Sequence, residues 1–497
     1  MTGWALHPLV SGIGICLAFP GFSLFPLAWV TLAPYLHFLL ETGSRRRILA
    51  GHLIFSSLYF GGVLYWIPRV LVEYGNLDWF TSALIFALMI LLLDLFLLPF
   101  SLLTHAVARR SAAAALWSVP GLWILTELLR NYYTVNGFPW ALVGHTQFAY
   151  RWIAQVADLS GVYLISFLVL LGNAALVAVL RNRSWRIPAV FALCFAGANL
   201  YGIYRCHVWT PPPGMELRVA LVQPDVGLFA DGRHYAEKYF DDLPRHYARA
   251  VEAGVDWVIF PEAQNPYLFT ADSEFRTFWQ RQVQAAGVPL VMNVTSIERP
   301  PSNRYFNSAY LLEGGETVSY RYDKIHLVPF GEYVPMAEWL AFASPLVREV
   351  GGFQPGQEHV LGQVSGVRFA TLICFEGIFP ELARDFVRNG AEILVNITND
   401  TWYGRTAAPM QHFQFGAFRA IEQRRPLLRC ANSGYSSHID ATGAVRSRTG
   451  LFEERLLIDT VQSSSYRSVY SRVGEWINMC LAGLALLVCL VFPRGRR

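Results

Sequence analysis

Three reactive side chains in the second half of the chain each follow a short apolar run. They are Glu262 after 255–260, Lys324 after 318–322 and Cys374 after 367–373. A carboxylate, an amine and a thiol that one fold brings together suit acyl transfer through a thioester. The carboxylate can take the thiol proton, and the ammonium can stabilise the thiolate and then the oxyanion of the tetrahedral intermediate. A lone cysteine is more often a core residue, and a lone lysine or glutamate a solvated surface charge, so the prediction depends on the three together.

The elements that must position these side chains are apolar runs that alternate with amphipathic stretches. We predict helices at 234–252, 273–286, 380–389 and 411–424, and strands at 217–223, 255–260, 289–294, 307–312, 318–322, 367–373, 393–396, 427–431, 436–440 and 455–459. The strands at 307–312 and 318–322 are expected to form a hairpin. This alternation indicates an α/β layered fold with helices on both sheet faces, which presents ligands at the carboxyl ends of its strands.

The composition places this α/β region in a membrane protein. The chain has 497 residues, of which 54% are hydrophobic and only 15% charged, which is too apolar and too lightly charged for a soluble enzyme of this size. A bilayer core needs about 20 apolar residues per helix. The candidate spans are 6–20, 22–40, 49–68, 80–105, 113–131, 160–180, 187–206 and 476–492. We therefore predict an α-helical membrane bundle of about eight spans, seven of them in 1–206, a catalytic domain at 207–474, and a final span and tail at 475–497.

Clusters of arginine predict the orientation of these spans. They follow the second, fourth, sixth and eighth spans, at 45–47, 109–110, 181–186 and 494–497, whereas the alternate loops carry mainly single arginines. Because basic loops stay in the cytoplasm, we expect both termini inside and 207–474 outside. Arginines that only cap helix ends would not alternate in this way.

Other functional classes find little support in the sequence. The net charge is +4 and no basic stretch interleaves with aromatic residues, so nucleic acid is not expected as a partner. The seven cysteines form no CxxC pair, and no disulfide framework is implied. His145, His326 and His412 lack the spacing of metal ligands, so neither a metal nor another cofactor is expected.

Longer motifs around the three reactive residues carry a resemblance to a known family. Phe260-Pro261-Glu262, Lys324 with His326, and Cys374-Phe375-Glu376 resemble the Glu–Lys–Cys triad motifs of the nitrilase superfamily. Within it, the blocks 324–335, 396–404 and 424–429 are similar to signatures of the apolipoprotein N-acyltransferase family, and the block 137–140 is similar to its membrane part. The resemblance covers the whole chain. It implies eight spans, with a nitrilase-like αββα sandwich inserted before the last.

The resemblance also implies a reaction and its participants. Glu262 would be the general base, Lys324 the stabiliser of the oxyanion, and Cys374 the nucleophile. Cys374 would take an acyl chain from a phospholipid such as phosphatidylethanolamine, and the α-amino group of the diacylglyceryl-cysteine of an apolipoprotein would accept it. Glu332 and Glu376 match further acidic residues of the family site. The implied location is the bacterial inner membrane, with the catalytic domain on the periplasmic side.

The acyl donor implies a site close to lipid. Each CH₂ exposed to water costs about 0.8 kcal/mol, so the thiol is expected near the lipid surface. The apolar loop 335–354 supplies Trp339, Phe342 and Phe353 as candidate lipid contacts, with a dimer contact or ordinary lid packing as alternatives. Trp140 is a further candidate, although an interfacial anchor is the simpler interpretation of an aromatic residue there. Two departures from the family pattern, at 227–229 and 263–266, concern the choice of acceptor or lipid.

Two rival interpretations use the same sequence differently. A membrane-tethered nitrilase-type amidohydrolase would employ the same three residues with water as the acceptor. A transporter or receptor would bind a ligand in the region 207–474 without chemistry. Few charges lie within the predicted spans and no inverted repeat is evident, which argues against a transporter.

Overall fold

The structure is a computed structural model in which the chain forms two compact units. It describes residues 3–491 except 76, 135, 183–184, 213, 228–231, 264–266, 271–272, 299–303, 316–317 and 334–351. The first unit comprises Met1–Trp209, Thr406–Gln414 and Val473–Arg497, and the second comprises Thr210–Arg405 and Phe415–Arg472.

The first unit is a bundle of mostly apolar helices. They are Leu6–Ala18, Ala33–Glu41, Arg45–Val63, Ile67–Glu73, Trp79–Ala108, Ala112–Tyr133, Arg151–Ala154, Ala157–Ser160, Val162–Leu180, Arg186–His207 and Trp476–Val491, with 3-10 turns at Gly3–Ala5, Phe25–Trp29 and Val143–Gln147. The side chains of Ser44, Asp78 and Ser111 accept hydrogen bonds from the first turns of the helices that follow them. Such N-caps satisfy backbone donors that a helix start leaves free.

Length and composition identify several of these helices as candidate membrane spans. Among the described residues, the four that qualify alone are Trp79–Ala108, Ala112–Tyr133, Val162–Leu180 and Arg186–His207. The pair Arg45–Val63 and Ile67–Glu73, bent by 51°, would add a fifth, and Gly3–Ala18 and Trp476–Val491 are apolar but shorter. The predicted span at 22–40 is not one helix. Phe25–Trp29 and Ala33–Glu41 each carry a proline in the first turn, and proline cannot continue the hydrogen bonding of a preceding helix.

Two charged residues near the end of Ala112–Tyr133 bind the loop that follows. Glu127 Oε1 accepts hydrogen bonds from the Trp123 indole at 2.9 Å and the Val143 N–H at 2.8 Å. The Arg130 guanidinium donates to the Ala141 carbonyl at 3.0 Å. Both charged side chains are buried, and their partners show that they hold the backbone at 141–143.

The second unit contains two six-stranded sheets. Its strands are β1 (Glu216–Gln223), β2 (Trp257–Ile259), β3 (Leu290–Ile297), β4 (Tyr305–Leu312), β5 (Tyr320–Asp323), β6 (Gly362–Val364), β7 (Val367–Ile373), β8 (Ile393–Thr398), β9 (Leu427–Ala431), β10 (Ser437–Ile439), β11 (Val445–Arg448) and β12 (Arg455–Gln462). The strand order is β12-β1-β2-β3-β4-β5 in one sheet and β11-β10-β9-β8-β7-β6 in the other. Three parallel strands form the centre of each sheet, β1 to β3 and β7 to β9.

The two sheets pack face to face as an α/β sandwich. The ring centroids of Trp257 on β2 and Phe369 on β7 lie 4.6 Å apart, and the Cys430 sulfur on β9 lies 3.2 Å from the Ile259 carbonyl oxygen. The helices of this unit are Gly232–Glu237, Leu243–Glu252, Ser273–Ala286, Pro380–Asn389 and Val469–Val473, and the helix Ala408–Gln423 belongs to it from Phe415 onward. Tyr247 and Trp279 pack two of these helices against the first sheet. The first sheet thus has helices on one face and the second sheet on its other face. This agrees with the sandwich that the resemblance implies, and it corrects the expectation, from the alternation of elements alone, of helices on both faces of a sheet.

Most predicted elements of this unit are confirmed, including the hairpin of β4 and β5. The predicted helix 234–252 is divided by a π-helical turn at Lys238–Asp242, because Pro244 cannot donate to the carbonyl four residues earlier. The short strands β6 and β11 were not predicted. A tight turn, in which Ser365 and Gly366 have φ of 48° and 85°, joins β6 to β7, whereas β11 carries two arginines and lacks an apolar alternation.

Candidate active site

The three reactive residues follow strands of both sheets. Glu262 lies three residues after β2 and Lys324 directly follows β5 in the first sheet, whereas Cys374 directly follows β7 in the second. The carboxyl ends of strands are where an α/β sheet presents functional side chains. The site therefore lies where the two sheets of the sandwich meet at these strand ends.

Lys324 carries a buried ammonium between two carboxylates. Only 1% of its side chain is exposed, and its Nζ lies 2.9 Å from Glu332 Oε1 and 3.6 Å from Glu262 Oε1. Burial alone would lower the pKa of Lys324, but Glu332, Glu262 and the nearby Cys374 raise it above its usual value. The lysine is therefore a fixed positive charge beside the thiol, as an oxyanion stabiliser requires.

Both carboxylate oxygens of Glu262 are held by hydrogen bonds. Oε1 accepts from the side-chain amide of Asn307 at 2.9 Å, and Oε2 accepts from the backbone N–H of Asn399 at 3.1 Å. These two donors leave the Glu262 side chain little rotational freedom. The geometry suits a base that receives a proton at one defined place.

Cys374 lies in a strained backbone conformation at the start of the 3-10 turn Cys374–Ile378. Its φ is 53°, a left-handed value that costs a non-glycine residue on the order of 1–3 kcal/mol. Burial raises the pKa of the Cys374 thiol and Glu262 raises it further, whereas Lys324 and a hydrogen bond with Thr398 lower it. The thiol therefore stays protonated until a base takes its proton, and Lys324 and Thr398 favour the thiolate.

Asn307 on β4 connects the two carboxylates, and sequence reasoning missed it. Its Nδ2 lies 2.9 Å from Glu262 Oε1 and 2.8 Å from Glu332 Oε1. Asn293 on β3 donates to Asn307 Oδ1 at 2.7 Å, which fixes the orientation of the Asn307 amide. The available signal in the sequence was an amide near the start of a mostly apolar strand.

Glu332 is the closer carboxylate partner of Lys324. Its Oε1 accepts from Lys324 and Asn307, and its Oε2 accepts from the Val328 N–H at 2.8 Å. The Glu332 carboxylate therefore binds the backbone at the start of its own turn, 328–332, and also binds the Lys324 ammonium. Glu332 does not reach the thiol through any of these bonds, so its geometry is that of a support for Lys324.

Glu376 connects the segments that carry Lys324 and Cys374. Its Oε1 accepts from the Tyr322 hydroxyl at 2.7 Å and from the N–H groups of Ile325 and His326 at 2.7 and 3.1 Å. Its Oε2 accepts from the Ile373 N–H at 2.7 Å. One fully buried carboxylate thus holds the chain just after Lys324 and just before Cys374 in a fixed relation.

We expect Glu376 to make the stability of the protein depend on pH. Burial raises the pKa of Glu376 to about 7, although hydrogen bonds and Lys324 oppose the rise. Because the folded protein holds this proton more tightly than the unfolded chain, the stabilisation is complete below about pH 4.5 and is lost as the pH rises through about 7. In Glu376→Gln the side chain cannot titrate. The excess stability of the wild type over this variant should therefore fall by about 3 kcal/mol across that range.

Thermal denaturation of both proteins between pH 4.5 and 7.5 measures this difference. The control is Glu358→Gln, because Glu358 is an exposed carboxylate. A gap in melting temperature between wild type and Glu376→Gln that stays constant over this pH range would contradict the prediction.

The four candidate lipid contacts differ in whether the structure describes them and in how far they are buried. Trp339 and Phe342 lie outside the described residues. Phe353 is half-buried, and its N–H donates to the Glu332 carbonyl at 3.2 Å. Trp140 is only 1% exposed, and its indole donates to Gln411 at 2.9 Å within the first unit, so it packs inside that unit. In the part of the chain that the structure describes, no group of three or more metal-ligating side chains is found.

Two known protein families match separate parts of the chain. The family described as "Apolipoprotein N-acyltransferase N-terminal domain" matches residues 11–175, and the family "Carbon-nitrogen hydrolase" matches residues 218–471. A relative from Geobacter metallireducens, named apolipoprotein N-acyltransferase, is 36% identical over 98% of this chain and 95% of its own length. The chain belongs to the apolipoprotein N-acyltransferase family.

Other members of the apolipoprotein N-acyltransferase family match over a similar extent. The relative from Methylococcus capsulatus is 31% identical over 99% of this chain and 96% of its own length, and the one from Haemophilus ducreyi is 28% identical over 97% and 94%. Among solved structures, Saccharomyces cerevisiae Nit3 is 17% identical and covers 50% of this chain and 91% of its own, with a TM-score of 0.40. An amidase mutant from Nesterenkonia is 21% identical and covers 55% and 100%, with a TM-score of 0.41.

Proposed function

We propose that this protein transfers a fatty acyl chain from a phospholipid to an apolipoprotein. The acyl chain passes through a thioester on Cys374 to the α-amino group of the N-terminal diacylglyceryl-cysteine of the acceptor. The observation that carries the proposal is the buried Lys324 ammonium, 3.6 Å from the Glu262 carboxylate and close enough to Cys374 to influence its pKa, in a chain of the apolipoprotein N-acyltransferase family.

The first half of the reaction acylates the enzyme. Glu262 takes the proton from the Cys374 thiol, and the thiolate attacks the ester carbonyl carbon of the phospholipid. Lys324 stabilises the negative charge that develops on the carbonyl oxygen, a contribution of about 2.7–4 kcal/mol for one donor of this kind. The C–O ester bond then breaks, the proton on Glu262 passes to the leaving oxygen, and a lysophospholipid departs.

The second half transfers the acyl chain to the lipoprotein. The unprotonated α-amino group attacks the thioester carbonyl and gives a proton to Glu262, and the C–S bond breaks as the amide forms. Cys374 then regains its proton from Glu262. In this scheme Glu332 and Glu376 do not react: Glu332 holds Lys324, and Glu376 holds the backbone segments of Lys324 and Cys374 together, as their hydrogen bonds suggest.

The membrane arrangement that suits this reaction is a bundle of eight spans in the bacterial inner membrane. Residues 207–474 lie on the periplasmic side in this arrangement, and 1–206 and 475–497 supply the spans, with both termini in the cytoplasm. The alternating arginine clusters support this orientation. Exposed aromatic residues lie at helix ends on both predicted sides, Trp79, Tyr133 and Trp476 on the periplasmic side and Trp185 on the cytoplasmic side, as expected of residues at the two membrane–water interfaces.

The acyl chain needs an apolar path to the thiol, and we place this path along the segment 335–354. Trp339, Phe342 and Phe353 would contact lipid there. The tie between the Phe353 backbone and the Glu332 carbonyl supports a position close to Lys324. Phosphatidylethanolamine is the donor class we propose, and no metal or cofactor takes part in the scheme.

Mass spectrometry of the full-length protein tests the proposed function. Incubation with phosphatidylethanolamine alone should add one acyl mass to the peptide that contains Cys374. A diacylglyceryl lipopeptide with a free amino terminus should then remove this mass and become triacylated, whereas an N-acetylated lipopeptide should leave the adduct in place. Release of free fatty acid with no acylated peptide would instead support the amidohydrolase and contradict the proposal.

A further inference from the structure

Two buried polar side chains, Asn396 and Arg429, lie on the two parallel strands next to the strand that ends at Cys374. Leu372 on β7 stands in register with Asn396 on β8, and Asn396 stands in register with Arg429 on β9. Asn396 and Arg429 are both 0% exposed. Burying an arginine costs free energy unless the charge is paired and hydrogen-bonded. The hydrogen-bond partners of Arg429 therefore indicate its structural role.

Asn396 supports the backbone of the candidate nucleophile. Its Nδ2 donates to the Leu372 carbonyl at 2.9 Å and to the Cys374 carbonyl at 3.2 Å. The second bond holds the peptide that follows Cys374, whose own φ is left-handed at 53°. Arg429 donates to Asn396 Oδ1. Because a guanidinium has donors only, this bond directs the donor end of the Asn396 amide at the Cys374 carbonyl.

The second terminal nitrogen of the Arg429 guanidinium binds Asp400. Its Nη2 donates to Asp400 Oδ2 at 2.7 Å, and Thr398 donates to Asp400 Oδ1 at 3.1 Å. Gly434 makes room for this carboxylate, since a Cβ at that position would lie 2.3 Å from Asp400 Oδ2. The pair of Arg429 and Asp400 has no exposed side-chain surface, so solvent does not weaken it.

Asp400 is connected through its chain neighbour to the candidate base, Glu262. Asn399, the chain neighbour of Asp400, donates its backbone N–H to Glu262 Oε2 at 3.1 Å. One guanidinium is therefore linked to the nucleophile through Asn396 and to the base through Asp400 and the adjoining peptide. Cys374 and Glu262 are the donor and the acceptor of the thiol proton in the proposed reaction.

We propose that Arg429 is a positioning residue that sets the geometry between the Cys374 thiol and the Glu262 carboxylate. The inference rests on the proposed function, in which these two groups exchange a proton. In this proposal Arg429 acts through Asn396 and Asp400 and not through contact with the substrate. A displacement of about 1 Å between two reacting groups lowers the reaction rate about 10²-fold. Loss of the paired contacts of the Arg429 guanidinium with Asn396 and Asp400 is therefore expected to have an effect of that size.

The test compares two variants of the full-length protein with a matched control. Arg429→Lys keeps the charge but loses the planar fork that reaches both partners. Asn396→Asp keeps the acceptor for Arg429 and removes the donor to Cys374. The control is Arg425→Lys, because Arg425 is also buried but donates to backbone carbonyls such as those of Ala391 and Arg424.

Two rates are measured on protein that retains a cooperative melting transition. They are the alkylation of Cys374 by iodoacetamide as a function of pH, and the formation of the acyl adduct from phosphatidylethanolamine. Both rates should fall about 10²-fold in Arg429→Lys and Asn396→Asp, with a displaced pH profile of alkylation. Arg425→Lys should lower the melting temperature and leave both rates within a few-fold of wild type.

Equal alkylation rates and pH profiles in wild type and the two folded variants would overturn the inference. The same loss in Arg425→Lys as in Arg429→Lys would also overturn it, because a purely structural role predicts that result. If Arg429→Lys loses its melting transition, Asn396→Asp decides the question alone. Alkylation needs no phospholipid, so a wild-type protein that is alkylated but never acylated counts against the proposed function and not against this inference.

Discussion

Cys374→Ala is expected to lose acyl transfer by at least about 10⁴-fold, the range in which removal of a catalytic nucleophile falls. Lys324 cannot take over as an acyl acceptor, because Glu332 and Glu262 hold it as an ammonium. The Cys374 peptide should show no acyl mass after incubation with phosphatidylethanolamine. The lipopeptide acceptor should stay diacylated in the same sample.

Cys430→Ala is the matched control for this substitution. Cys430 is also fully buried, but its sulfur lies against the backbone carbonyls of Val222 and Ile259, at 3.3 and 3.2 Å, in the core of the sandwich. Removing it should cost stability on the order of 1 kcal/mol and leave the acylation rate within a few-fold of wild type. Acyl transfer by Cys374→Ala at more than about one hundredth of the wild-type rate would contradict the assignment of the nucleophile.

Glu262→Gln is expected to slow both halves of the reaction by about 10²–10⁴-fold, since general base catalysis contributes an effect of that size. Glutamine is nearly the same shape, so the fold should persist. The glutamine cannot accept the thiol proton. Both Glu262 oxygens accept hydrogen bonds, from Asn307 and from Asn399, and in either orientation the glutamine amide replaces one of these acceptors with an NH₂ donor. Rapid-quench mass spectrometry can follow both acylation of Cys374 and its discharge by the lipopeptide.

The two half-reactions make this prediction specific. A base used in both steps predicts that acylation and discharge slow together in Glu262→Gln. Glu298→Gln serves as the control, because Glu298 is exposed and paired with Arg304 at the surface, and it should react as wild type does. Acylation of Glu262→Gln at a rate within about tenfold of wild type would show that another group takes the thiol proton.

Much of the candidate site could be predicted because its residues share a local pattern. Glu262, Lys324 and Cys374 each follow a short strand, and strand ends meet at a common edge whatever the loops between them do. Asn307 and Arg429 escaped prediction for the opposite reason. Each lies inside a strand, and only the register with neighbouring strands shows which backbone or carboxylate its side chain meets.

The membrane part was harder to predict from the sequence than the sandwich. Hydropathy located Trp79–Ala108 and Val162–Leu180 well, because each is one uninterrupted apolar helix. It did not predict that 22–40 and 49–68 would be broken or bent, since hydropathy measures transfer to lipid and not the backbone hydrogen bonds that proline removes. The sandwich fared better because its strands are short and bounded by turn residues.

The left-handed backbone at Cys374 restricts which nucleophiles this scaffold can accept. Serine has an unbranched β-carbon like cysteine, so Cys374→Ser is compatible with a φ of 53°. Threonine carries two heavy atoms on that carbon, and a β-branched residue at positive φ is a severe outlier. A redesigned esterase on this backbone, with an alkoxide in place of the thiolate, would therefore have to be a serine enzyme.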